Sequence, residues 1–182
     1  MYGARSWFPV FVVSALGILA WTLWNSPAGA QNNKPAALEV VKIADNLAAG
    51  KKFSEADAKA FAKKYDDLED VMGAFKAPKR GQPTLETILN KLSAKSSFTA
   101  AEKVELAKIA KISRAIALLV PHYDEKTKGN AGKKKEWDRY TADLAGGSQD
   151  LLKALKSGDG KAINKAATRL NGSCTDCHGE FR

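Results

Sequence analysis

The sequence predicts an all-α protein: an antiparallel four-helix bundle with an extra helix on its N-terminal side. Alternation of apolar and polar residues typical of strands is nearly absent, whereas apolar residues recur at intervals of three and four almost everywhere after Ala36. Four sizeable amphipathic segments are joined by short to moderate connections, which is the pattern of an antiparallel bundle. Residues 31–182 are numerous enough for one domain with its own core and too few for two.

The first thirty residues have the pattern of an export signal. Their one charged residue is Arg5, an apolar run spans residues 7–24, and small residues occupy positions 28–30. These are the parts of a secretory signal, with cleavage predicted after Ala30. The run is also about as long as the roughly 20 residues that cross a bilayer, so a retained membrane anchor is the alternative. In both cases the remainder is exported, which indicates a periplasmic location.

A short helix is expected over residues 36–48, followed by the first helix of the bundle, which itself spans 54–182. Ser54 is a natural N-cap for that first helix. Its inward stripe has intervals of 4, 3, 4 and 3 and consists of Phe61, Tyr65, Leu68, Met72 and Phe75. Two prolines and a glycine in residues 76–83 end it, and a small helix is predicted from Leu85 to Leu92.

The second bundle helix begins at a capping box of Thr99 and Glu102 and ends at Pro121. Its inward stripe consists of Ile109, Ile112, Ile116 and Leu119. A charged linker follows this helix.

The third bundle helix, over residues 137–155, contains Gly146 and Gly147. A glycine in a helix interior costs about 1 kcal/mol relative to alanine. We therefore expect either another helix or a bulky ligand to approach closely there. Gly158 is predicted to end this helix, and Asp159 to cap the last one.

The last helix carries the most informative motif, the Cys-x-x-Cys-His sequence at residues 174–178. Its inward stripe consists of Ile163, Ala167, Leu170, Cys174 and Cys177. Two cysteines at this spacing followed by histidine are typical of c-type haem attachment. Positions i, i+3 and i+4 share one helical face, so Cys174 and Cys177 can form two thioethers while His178 binds the iron. The sequence predicts one covalent haem c, buried near the C-terminal end of the bundle.

Other interpretations of the motif are weaker. A zinc site needs four ligands, and only Cys174, Cys177, His178 and the distant His122 could supply nitrogen and sulfur. A redox-active dithiol normally opens a helix after a strand, and no strand is predicted here. A coincidental motif is the remaining alternative.

The motif's position resembles that in the class II cytochromes c, the family of cytochrome c′ and cytochrome c-556. The motif lies at the extreme C-terminus on the last of four helices and is followed by Phe181 and Arg182. The resemblance is strongest over residues 154–182 and covers 54–182 as architecture. It implies that a closing basic residue lies near the haem, a position that Arg182 matches. A cation at a helix C-terminus is favourable in any case, so a purely local role for Arg182 is the alternative.

The resemblance also makes the sixth iron ligand the feature that separates functions. Six-coordinate relatives use a methionine on the first bundle helix, whereas five-coordinate relatives place an apolar side chain there. Met72, the only methionine besides Met1, is the predicted sixth ligand. The alternatives are an open or blocked site, with Met72 as core filler, and ligation by His122. Leu68 stands where six-coordinate relatives usually carry an arginine.

The predicted function is electron transport by a monohaem cytochrome rather than enzymatic catalysis. Residues 31–182 contain 28 Lys and Arg against 20 Asp and Glu, a net charge of +8, which favours acidic redox partner proteins. Scattered lysines and export argue against nucleic acid. The alternatives are a five-coordinate protein that binds nitric oxide or carbon monoxide, and a haem subunit anchored by residues 7–24 beside a membrane complex. Because family members are often dimers, a homodimer is one further expectation.

Overall fold

The computed structural model describes residues 34–76, 81–123 and 127–181, and over these residues the chain is helical without strands. The predicted all-α class is therefore confirmed. The helices are α1 Pro35–Ala48, α2 Glu55–Lys64, α3 Leu68–Met72, α4 Leu85–Ser93, α5 Ala100–Leu119, α6 Ala131–Ser157 and α7 Gly160–Phe181, with 3-10 turns at Gly73–Phe75 and Val120–His122. The predicted signal or anchor and Arg182 lie outside the described residues. Within those residues, no helix has the length and apolar character needed to cross a bilayer.

Helices α6 and α7 form an antiparallel pair. Gly147 lies against Leu170 near the middle of both helices, and Trp137 lies against Phe181 at one end. A Cβ atom on Gly147 would lie 3.1 Å from the Leu170 Cα atom. The close approach of another helix, one of the two explanations expected for the glycine pair, is thus confirmed at Gly147.

Helix α4 also runs antiparallel to α7. Near one end of the pair, the Asn164 side-chain amide donates hydrogen bonds to the backbone carbonyls of Ser93 at 2.8 Å and Lys95 at 2.7 Å. Further along, the side chains of Asn171 and Asn90 are 3.2 Å apart. Helices α5 and α6 pack together, and α4 also packs on α5. Helix α7 therefore packs on α4 and on α6, α5 packs on the same two helices, and α1 packs on α5.

The predicted continuous helix over residues 54–75 is wrong, because the chain breaks between α2 and α3. Tyr65 leaves helical geometry with φ −128° and ψ 87°. Asp67 then caps α3, its carboxylate accepting a hydrogen bond of 2.8 Å from the Glu69 N–H. Such a side-chain acceptor competes with helical hydrogen bonds. The Tyr123 hydroxyl holds the break by donating to the Tyr65 carbonyl at 2.5 Å.

The other predicted helix starts are mostly found, but α6 begins at Ala131, inside the predicted linker, rather than at 137. Ser54 forms a capping box with Asp57, and Thr99 forms one with Glu102. Gly158 ends α6 with φ +75°, a left-handed conformation that favours glycine. The side chains that are almost completely buried include Leu89, Leu106, Ile109, Ile116, Leu119, Leu151, Ile163 and Leu170. All eight come from α4 to α7, and Val40 of α1 and Val71 of α3 are equally buried, so most of the core lies among the helices that support the cysteine motif.

Candidate functional site

The cysteine motif occupies the last turns of α7, and aromatic packing holds this end of the helix in place. The Phe181 ring meets the Trp137 ring edge-to-face, with centroids 5.0 Å apart. The Trp137 indole N–H in turn donates to the Val120 carbonyl at 3.2 Å. The C-terminal turn of α7 is thereby tied to the start of α6 and the end of α5.

The buried stripe of α7 becomes half-exposed where it reaches the motif. Leu170 is fully buried, whereas Cys174 and Cys177 are half-buried, and Cys174 still packs against the core. Helix α4 begins at Leu85, and its first turn meets α7 at His178. The prediction that both cysteines extend the buried face thus holds only in part.

Neither cysteine forms a disulfide, and the pKa values of both thiols are raised. Burial, assisted by the negative charge of Glu86, raises the pKa of Cys174 to about 12. Burial likewise raises the pKa of Cys177. Redox-active dithiols depend on a lowered thiol pKa, so this environment does not favour that alternative.

His178 contacts a carboxylate on the neighbouring helix. Its Nδ1 atom lies 3.2 Å from the Oε1 atom of Glu86, in the first turn of α4. A histidine that binds a metal through one ring nitrogen commonly donates its other N–H to a carboxylate, which fixes the ring orientation. The contact through Nδ1 therefore assigns Nε2 as the nitrogen that could bind iron.

The donor set fits haem c better than a bare metal ion. Two half-buried thiols and an oriented imidazole lie at positions i, i+3 and i+4 of one helix, as two thioethers and an axial ligand require. In the described parts of the chain, no three or more side chains of His, Cys, Asp or Glu converge on a point where they could hold a metal ion. The zinc interpretation accordingly gains no support.

The predicted candidates for the sixth ligand lie on other elements. Met72 is the last residue of α3, half-buried against the core. The hydrogen bond from Tyr123 to Tyr65 holds the segment just before α3 at the end of α5. The Trp137 indole contacts the same end of α5. His122 borders a shallow cleft together with Lys59 and Lys63 of α2. Arg182 lies outside the described residues, so its predicted place beside the haem stays a prediction.

Glu86 is the site residue that the sequence reasoning missed. The small helix carrying it was predicted, but an acidic residue in the first turn of a helix is common for local reasons. Only the antiparallel pairing of α4 with α7 brings it to His178. No local pattern in the sequence marks that contact.

Comparison with known proteins points to one family. A family model described as Cytochrome C' matches residues 82–182, which include α4, α5, α6, α7 and the whole cysteine motif. Searches of curated proteins and of solved structures gave no match. The match covers more than half of the chain and leaves Met72 outside it.

Proposed function

The chain belongs to the cytochrome c′ family, and on that premise we propose that it is an exported monohaem cytochrome that carries electrons. Family membership implies covalently attached haem c. The observation that carries the proposal is the placement of Cys174, Cys177 and His178 on one face of α7, inside the matched segment. Cys174 and Cys177 would hold the macrocycle, and His178 would bind its iron.

The protein's part in electron transfer is to hold its ligands still and to limit water. The bound haem supplies an iron that changes its charge by one electron. Because Phe181 packs on Trp137 and Asn164 ties α7 to α4, the helix that carries the ligands is fixed at both ends. A rigid ligand frame keeps rearrangement small when the charge changes, and half-burial of both cysteines lowers the local polarity around them.

We propose Met72 as the sixth ligand. Its support is a half-buried position against the core, on the short helix that follows Tyr65, whose carbonyl accepts the hydrogen bond from Tyr123 at the end of α5. His/Met ligation raises the reduction potential relative to bis-histidine ligation. Met72→Ala should then abolish the sulfur-to-iron charge-transfer band of the ferric protein and lower the potential. Leu68→Ala, at the other end of α3, is the matched control and should leave the band in place. A band unchanged in Met72→Ala would contradict the assignment.

The bounds of the family match, which begins after Met72, favour a second function, the binding of small gases. Residues 82–182 contain no methionine, so ligands drawn from this segment alone would give the iron no methionine sulfur. Such an open site would bind nitric oxide or carbon monoxide. A high-spin ferrous spectrum that shifts when carbon monoxide is added to the unmutated protein would support this function and contradict Met72 ligation.

Export and the choice of partner complete the proposal. The excess of lysine and arginine supports weak docking of acidic redox proteins. Part of this charge lines a cleft of about 510 Å³ between α1, α5 and α6, which includes Lys111, Arg114, Lys153 and Lys156. Electron transfer with an acidic donor should slow as salt concentration rises. N-terminal sequencing of exported protein would distinguish cleavage after Ala30 from a retained anchor.

A further inference from the structure

The contact between Glu86 and His178 is part of the helix packing rather than an isolated surface pair. Helices α4 and α7 are held in one register by the Asn164 bonds to the backbone at the end of α4 and just after it, and by the pairing of Asn171 with Asn90. In that register, the first turn of α4 meets the turn of α7 that carries the motif. The carboxylate of Glu86 therefore reaches the ring of His178, with Oε1 3.2 Å from Nδ1.

A carboxylate that accepts the Nδ1–H of a ligating imidazole changes the ligand itself. The hydrogen bond fixes the tautomer and the ring orientation, and it increases the electron donation of the other nitrogen to the metal. Stronger donation stabilises the more positively charged, oxidised iron relative to the reduced iron. The side chains are 31% exposed for His178 and 45% exposed for Glu86, so solvent screens the interaction in part.

We propose that Glu86 is a positioning residue for His178, and that its hydrogen bond to Nδ1 strengthens the bond from Nε2 to the haem iron and lowers the reduction potential. The inference rests on the proposed function in one respect: His178 must bind the haem iron. Helix α4, the first helix of the family-matched segment, would then help to set the reduction potential of the iron through His178.

The test compares Glu86→Gln with Glu180→Gln in the haem-loaded protein. Both changes remove one negative charge close to His178, but Glu180 is an exposed residue near the end of α7, two positions away on the same helix, whereas Glu86 Oε1 lies 3.2 Å from Nδ1. Glu86→Asp is the third variant, which keeps the charge and withdraws the oxygen from Nδ1. The readouts are the reduction potential and the iron–histidine stretching frequency of the ferrous protein. The frequency is measured in a Met72→Ala background so that the sixth position is open.

Glu86→Gln is expected to favour reduction by about tenfold, which for one electron is about 59 mV, and to lower the stretching frequency. Glu86→Asp should lower the frequency as well, although its charge is unchanged. Glu180→Gln should leave the frequency where it is. Equal frequencies in all variants, or equal potential shifts in Glu86→Gln and Glu180→Gln, would overturn the proposal while haem attachment stood. Protein that never acquired haem would overturn the proposed function instead.

Discussion

Substituting Gly147 by alanine tests the helix contact that positions the motif-bearing helix. The added Cβ would lie 3.1 Å from the Leu170 Cα atom and 3.3 Å from its backbone nitrogen, so α7 itself would have to move. Overpacking of this kind costs about 1–3 kcal/mol. Alanine also gains about 1 kcal/mol over glycine from helix propensity. The net loss in unfolding free energy should therefore lie between about 0 and 2 kcal/mol.

Gly172→Ala separates the two contributions. Gly172 lies inside α7, and a Cβ atom there would meet nothing within 4 Å. This variant should gain the helix-propensity term alone, about 1 kcal/mol. The difference between the variants then isolates overpacking, about 1–3 kcal/mol. Urea unfolding of both haem-loaded variants measures it, provided that the slopes agree. Equal stabilities would refute the close contact between α6 and α7.

Two further predictions concern the end of α7 and the start of α5. Phe181→Ala should lower the unfolding free energy by about 2 kcal/mol, because it removes the edge-to-face contact with Trp137 and part of the ring's burial. Phe181→Leu should lose less, and an alanine variant as stable as the parent would contradict this packing. Hydrogen bonding to Lys95 lowers the pKa of Glu102 from 4.5 to about 2, so its stabilising contribution is complete above about pH 4.5 and is lost as the pH falls towards 2. The Glu102→Gln variant should therefore lose less unfolding free energy than the parent protein between pH 4.5 and 2. If the unfolding free energies of the two proteins fell in parallel with pH, the lowered pKa of Glu102 would be contradicted.

The helix starts and ends were predictable because they depend on neighbouring residues. Ser54, Thr99 and Asp159 cap helices through bonds to N–H groups two or three residues ahead. Gly158 supplies the left-handed turn that ends α6. The cysteine motif was equally local, since its three functional residues lie within five positions of one helix.

The break at Tyr65 was not predictable from hydrophobic periodicity. The stripe from Phe61 to Phe75 has helical spacing, and all of its members do pack on the core. Its interruption depends on the Asp67 cap and on the hydroxyl of Tyr123, 58 residues further along the chain. The spacing of apolar residues indicates which side chains are buried. Side-chain hydrogen bonds, some of them from distant residues, decide whether the backbone of that stripe stays helical.

The place of α4 was missed for a similar reason. Helix α4 has nine residues, and its apolar stripe is too short to show whether the helix belongs to the bundle or lies at the periphery. Its packing on α7 depends on hydrogen bonds between distant residues, such as those of Asn164. The sequence therefore marked the cysteine motif on α7 and predicted the small helix before it, but it predicted neither the packing of that helix on α7 nor the contact of Glu86 with the motif.

Covalent attachment of one haem through Cys174 and Cys177 is the central claim, and an intact mass measured on acid-extracted protein tests it most directly. The protein should be produced in a host competent for cytochrome c maturation. The account predicts a red protein whose mass includes one haem that extraction does not remove, and a Cys174→Ser, Cys177→Ser double variant without it. A colourless parent protein with the mass of the polypeptide alone would contradict the account.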